Sequence, residues 1–151
     1  MRLTSTQSGF TLLEVVIAIL VLAIGLLGLA SLQAVGLQFN QSSQFRTQAT
    51  NLAYEMADRM RSNRQAARDT ESDYNIDLAA PPLSCTQNFA LDQATVAIRD
   101  VQSWRNNLAC LLPSGRGAIA VDSDGMATIT VQWDDSRGQE APEDFVMVTR
   151  L

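Results

Sequence analysis

In this 151-residue chain the carboxylate with the strangest setting is Glu14, which is followed at once by the apolar run VVIAILVLAIGLLGLASL from Val15 to Leu32. A carboxylate in hydrocarbon costs on the order of 2.5 to 3.5 kcal/mol even on lenient insertion scales, so it needs a cationic neighbour or a place at the wet interface. Cys85 and Cys110 are too few and too far apart for a four-ligand zinc site. They suit one disulfide, which implies an oxidising compartment, with two free buried thiols as the alternative. Asp122 with Asp124, and Asp134 with Asp135, offer oxygens to calcium, yet no D-x-D-x-D-G loop with a closing glutamate is present. Nor do paired acids for glycoside hydrolysis have a pocket-forming domain around them. Histidine is absent, which removes the commonest general base and nitrogen ligand. No catalytic residue, metal set or cofactor is expected.

The elements that would hold these residues follow from hydropathy. The length suits one globular domain plus an appendage. Between Val15 and Phe45 there is no charge, and the apolar run, extended by Phe10 to Leu13, is long enough to cross roughly 30 Å of hydrocarbon. A secretory signal places its small-residue cleavage site after a shorter apolar run. Here Gly9 stands before the run, behind the polar leader MRLTSTQS. All 11 basic residues are arginines, and 16 acids leave a net charge of −5; that balance gives no indication of nucleic acid, which rewards clustered positive charge.

The junction G-F-T-L-L-E, Gly9 to Glu14, abutting an apolar run resembles the prepilin motif of type IV pilins and of the related type II secretion pseudopilins. The resemblance implies that a prepilin peptidase cuts after Gly9 and methylates the new amino terminus at Phe10, so that the apolar helix is retained. It also implies that Glu14 pairs with the free Phe10 amine of an adjacent subunit. The two positions lie four residues apart, about 6 Å along a helix, so an axial stagger between subunits brings them level. Gly25, Gly28 and Gly36 weaken the helix. They are candidates for the melted stretch seen in packed filaments of this family, although the proline usual in major pilins is missing before Pro81.

Beyond the run, Phe45, Ala49, Leu52, Ala53, Met56 and Met60 recur with a helical period. Glu55 and Arg59 form an i,i+4 pair on another face, read as solvated. One helix is therefore expected from about Phe10 to Asn63, its first half (10–32) in lipid and its second (33–64) against a head. Thr50 to Arg64, TNLAYEMADRMRSNR, resembles the end of the long helix in PilV-type minor pilins.

Gln65 to Leu83 lacks any period and reads as an exposed connection. Ala94, Ala97, Ile98, Val101, Trp104 and Leu108 keep helical spacing, which predicts a second helix from about Leu91 to Leu112, closed by Pro113 and Gly115. The period then becomes two, predicting antiparallel strands over Gly117–Val121, Met126–Trp133 and Phe145–Arg150. Asp122 to Gly125 makes the hairpin turn, and the connection Asp134 to Asp144 is acidic and mobile-looking.

The expected fold class is α+β, a pilin-like roll. A leader (1–9) precedes a transmembrane-to-periplasmic helix and a head (65–151) with one helix and a small antiparallel sheet. Through the resemblance, the chain is expected to be an inner-membrane, single-pass subunit with a periplasmic head, incorporated in a surface pilus. Its implied partners are the prepilin peptidase, other minor pilins and the major pilin, a tip adhesin, and inner-membrane lipid. A minor pseudopilin of a secretion apparatus is the alternative, and a membrane-tethered enzyme lacks the residues it would need.

Overall fold

A computed structural model describes residues 9–69, 71–87, 89 and 95–151. The leader up to Ser8 and the segment Leu91–Ala94, where the second helix was expected to begin, lie outside the described residues. The order is α1 (Leu12–Ser62), α2 (Arg64–Ala67), α3 (Val96–Leu111), β1 (Arg116–Val121), β2 (Met126–Trp133) and β3 (Glu143–Arg150). Two compact units divide the chain after Gln41.

The first unit holds the apolar part of α1. The helix is unbroken through Gly25, Gly28 and Gly36, and every described residue up to Gln41 is exposed.

The second unit, Ser42–Leu151, is an α+β head with the pilin-like layout. Its share of α1 buries Ala49, Leu52, Ala53, Met56, Ala57 and Met60, the apolar stripe of an amphipathic helix. Phe45 packs on the same cluster from the rim. Alanine at 49, 53 and 57 keeps that stripe low, so bulky groups from α3 and the sheet can lie against it. Chief among them is Trp104, fully buried, whose indole Nε1 donates to the Leu52 carbonyl at 2.9 Å. Thr95 starts α3, its Oγ1 accepting from Ile98 N at 3.3 Å. That cap gives an acceptor to one of the orphan donors of a helix start and explains why α3 begins at Val96.

The sheet runs β1-β2-β3, all antiparallel. Ile129 lies opposite Ile119 on one side and Met147 on the other. Ala127, Ile129, Val131 and Trp133 face the core, as alternation predicts. The β1–β2 turn is closed by Asp122, whose Oδ1 accepts from Asp124 N at 3.0 Å and Met126 N at 2.8 Å. Gly125 takes φ 77°, which glycine adopts without a Cβ clash. Gly117 is small for a different reason: a Cβ there would lie 2.3 Å from the Trp104 ring.

Two connections differ from expectation. Gln65–Leu83 is not simply exposed: Ala67 and Tyr74 are fully buried, and Ile76 exchanges both backbone hydrogen bonds with Ile119 at 2.9 Å each. Single anchors of this kind leave no periodic trace. The second connection is shorter than expected, because β3 begins at Glu143, opposite Trp133. It is also internally bonded: Asp134 Oδ1 accepts from Ser136 N and Oγ at 3.0 and 2.7 Å, and Ser136 Oγ accepts from Glu140 N at 2.9 Å. The Ser136 hydrogen bonds hold the Asp134 carboxyl below the usual range, against the opposing effect of desolvation.

Candidate processing site, membrane anchor and head contacts

Gly9 and Phe10 precede the helix as exposed coil, with Phe10 84% accessible. Thr11 then starts α1. Its Oγ1 accepts from Glu14 N at 3.3 Å, and its carbonyl accepts from Glu14 N at 3.1 Å and Val15 N at 3.4 Å. Thr-x-x-Glu is the capping-box spacing, a signal legible in the sequence. Its effect is to hold Glu14 in the first turn, where the partial positive charge of the helix start favours a carboxylate.

Glu14 shares a shallow groove with Phe10, Val15, Ala18, Ile19 and Leu22, so its carboxylate sits on an otherwise apolar stripe. Among the described residues no cation pairs with it. The helix has an 18-residue window of mean hydropathy 2.9, none of it buried, long and apolar enough to cross a membrane. Leaving such a surface in water is unfavourable by about 25 cal/mol per Å², so its cover must come from lipid or from other chains.

A family profile described as the prokaryotic N-terminal methylation motif matches residues 4–30. The chain carries a prepilin-type methylation motif. The match brackets Gly9, Phe10 and Glu14 and ends inside the apolar run, supporting a type IV pilin-like or pseudopilin-like protein with a membrane-anchoring helix. No curated protein and no solved structure matches the chain.

In the head of this pilin-like chain, Cys85 and Cys110 are joined, with Cα atoms 4.7 Å apart. The bridge acts with neighbours that the sequence reading missed. Asn106, 8% exposed, accepts from Thr86 N at 2.9 Å through Oδ1 and donates to Thr86 O at 3.1 Å through Nδ2. Arg105 donates to the Pro81 carbonyl. Arg105, Asn106 and Cys110 of α3 thus pin the otherwise exposed 81–86 segment.

A second missed cluster ties α1 to α3. Arg59 Nη2 reaches Glu55 at 2.6 Å, but its Nη1 also reaches Asp100 Oδ1 at 3.2 Å. Tyr74 Oη donates to Asp100 Oδ2 at 2.7 Å and accepts from Asn63 Nδ2 at 3.3 Å. Burial first, then the hydrogen bond to Asp100, pushes the Tyr74 phenol up to about 12. The pair read as merely solvated is therefore part of an interhelix network.

Among the described residues no cluster of three or more His, Cys, Asp or Glu could hold a metal. Asp122 and Asp134 each direct one oxygen, Oδ1, at donors of their own loops. The arrangement is suited to anchoring and contact.

Proposed function

We propose that this chain is a minor pilin of the PilV type, a structural rather than catalytic subunit, that helps prime and cap a type IV pilus. The observation that carries the reading is the methylation motif abutting an apolar helix that nothing in its own unit covers, with Glu14 held in the first turn.

In this reading the leader 1–9 is removed by the prepilin peptidase after Gly9, and Phe10 becomes the methylated terminus. Residues 10–32 lie in the inner membrane until the subunit joins the filament, and the head lies in the periplasm. Glu14 of one subunit then pairs with the Phe10 amine of the next. The pairing answers the cost of a carboxylate in a low-dielectric setting, and it sets the axial stagger. The head offers contacts to other minor pilins, the major pilin and a tip adhesin.

Support for the minor-pilin reading over a pseudopilin comes from the resemblance of Thr50 to Arg64 to the end of the long helix in PilV-type minor pilins. There Met56, Ala57 and Met60 form core, Arg59 joins the interhelix network, and Tyr54 remains 55% exposed. The pattern is thus largely a packing signature with one aromatic left for contact.

Mass spectrometry of the protein from native membranes tests processing, with N-methyl-Phe10 as the expected first residue. A mature chain beginning at Met1, or beyond Leu32, overturns the reading. Crosslinking followed by identification of the bound chains separates the two filament types. Pilus subunits are expected, and secretion-apparatus components would replace the minor-pilin reading with the pseudopilin one.

A further inference from the structure

The two edges of the head's sheet are treated differently. Along β1, Ile119 exchanges both backbone bonds with Ile76, and Val121 N donates to Asn75 Oδ1 at 3.0 Å. That edge is capped. Since Ile119 turns its backbone groups away from β2, alternation along antiparallel strands directs those of Phe145, Met147 and Thr149 at β2. Asp144, Val146, Val148 and Arg150 therefore aim N–H and C=O at the open edge of β3. Among the described residues none of these groups finds a partner there.

Nothing in β3 guards that edge. Its eight residues pair one for one with β2, without a bulge, and include neither lysine nor proline. Such features normally blunt an edge, because unpaired backbone groups template the addition of another strand. The four outward residues also expose their side chains, Val146 at 51% and Val148 at 58%. Their order is acid, valine, valine, arginine, and neither charge has an ion-pair partner among the described residues.

The neighbouring helix limits what can fill the edge. Arg46 reaches Glu143 at the start of β3 and Arg61 reaches Thr149 near its end, each at 2.6 Å, so α1 and β3 run in the same direction. A second copy offering its β3 antiparallel would have to reverse its α1, which two chains anchored by that helix in one membrane cannot do. Parallel pairing of the two β3 edges turns one sheet over, so the exposed valine face of one copy would run on into the helix-covered face of the other.

We infer that the open edge of β3 takes one extended segment of a different chain, added antiparallel, from a part of that chain not tied to an anchoring helix. From its amino end the segment alternates acid, apolar, apolar and base at every second residue. Its acid meets Arg150, its apolar residues meet Val148 and Val146, and its base meets Asp144. Main-chain bonds supply affinity in strand addition, and the alternate side chains supply register. A two-residue slip would set a charge against valine, and a segment of reversed charge order would oppose like charges. The inference goes beyond the assignment to a filament and holds for either filament type.

The test uses the detergent-solubilised full chain carrying Val148→Cys. The probe peptide is Ser-Asp-Thr-Cys-Thr-Val-Thr-Arg-Ser, and the control, Ser-Arg-Thr-Cys-Thr-Val-Thr-Asp-Ser, exchanges only its charges. Hydrogen-bonded antiparallel pairs hold Cα atoms about 5.5 Å apart, within disulfide reach. In a glutathione buffer the probe is expected to form about tenfold more mixed disulfide than the control, because two cross-strand pairs turn from attractive to repulsive. Adding D144R/R150D is expected to reverse that preference, and Ser123→Cys is expected to show none. In native membranes, a photocrosslinker replacing Val146 is expected to capture a different chain through a segment of the stated pattern, mapped by mass spectrometry. Equal trapping of the two peptides, no reversal by D144R/R150D, or capture of a second copy of this chain would overturn the proposal.

Discussion

Within α1, the stretch from Val15 to Leu32 is almost unbroken apolar sequence and is wholly exposed. The stretch from Ala49 to Met60 is less apolar, yet it buries its stripe completely. Burial by the chain's own head needs a period, because only one face of a helix meets the sheet and α3. An all-round apolar surface has no single face to offer and takes its cover from outside. The Glu14 carboxylate belongs to the second situation and Arg59 to the first: Arg59 finds Asp100 in its own chain, and Glu14 finds no cation among the described residues.

Glu14→Ala should separate the two regions most sharply. Head stability by chemical denaturation and membrane insertion by carbonate extraction should be unchanged, while incorporation read from sheared filaments by immunoblot should be lost; unchanged incorporation would sink the role given to Glu14. Trp104→Ala should do the reverse. Removing a fully buried indole that also bonds Leu52 should cost about 3–5 kcal/mol and make the head sensitive to protease, with the anchor still inserted. Loss of insertion in that variant would mean that the regions are not independent.

A smaller effect is expected from Cys85→Ser with Cys110→Ser. Closing a loop of this length stabilises by about 3 kcal/mol on the chain-entropy model, and the denaturation midpoint should fall accordingly. Smallest is Tyr74→Phe, about 2 kcal/mol for a lost hydrogen bond to a charged partner. It carries a pH signature. The folded phenol titrates near 12 against an ordinary 10.0, so the wild-type contribution is complete below pH 10 and is lost as pH rises toward 12. The phenylalanine variant should lose less stability over that window, and identical alkaline profiles would remove Tyr74 from the network.

Helices and strands were legible wherever one period ran on. The α1 stripe, the core face of β2 and the Asp122–Gly125 turn all rest on neighbours a few residues apart. The Thr11 cap is local in the same way, a Thr-x-x-Glu pattern in which Glu14 contributes its backbone N–H as well as its charge. Tyr74, Ile76 and Asn106 were not legible. Tyr74 and Ile76 lie in a segment without period, Asn106 is a polar residue of α3 outside its apolar stripe, and each acts on a partner far along the chain.

What the amino-acid sequence determined by itself was the anchor and its processing signal, together with the class of each main element. Those depend on contiguous residues and on the cost of placing them in water or hydrocarbon. Only the tertiary structure decided that Arg59 reaches Asp100, that Ile76 closes the β1 edge, and that β3 leaves its own edge open. Such outcomes turn on which distant segments come within hydrogen-bonding distance, and no local preference encodes that.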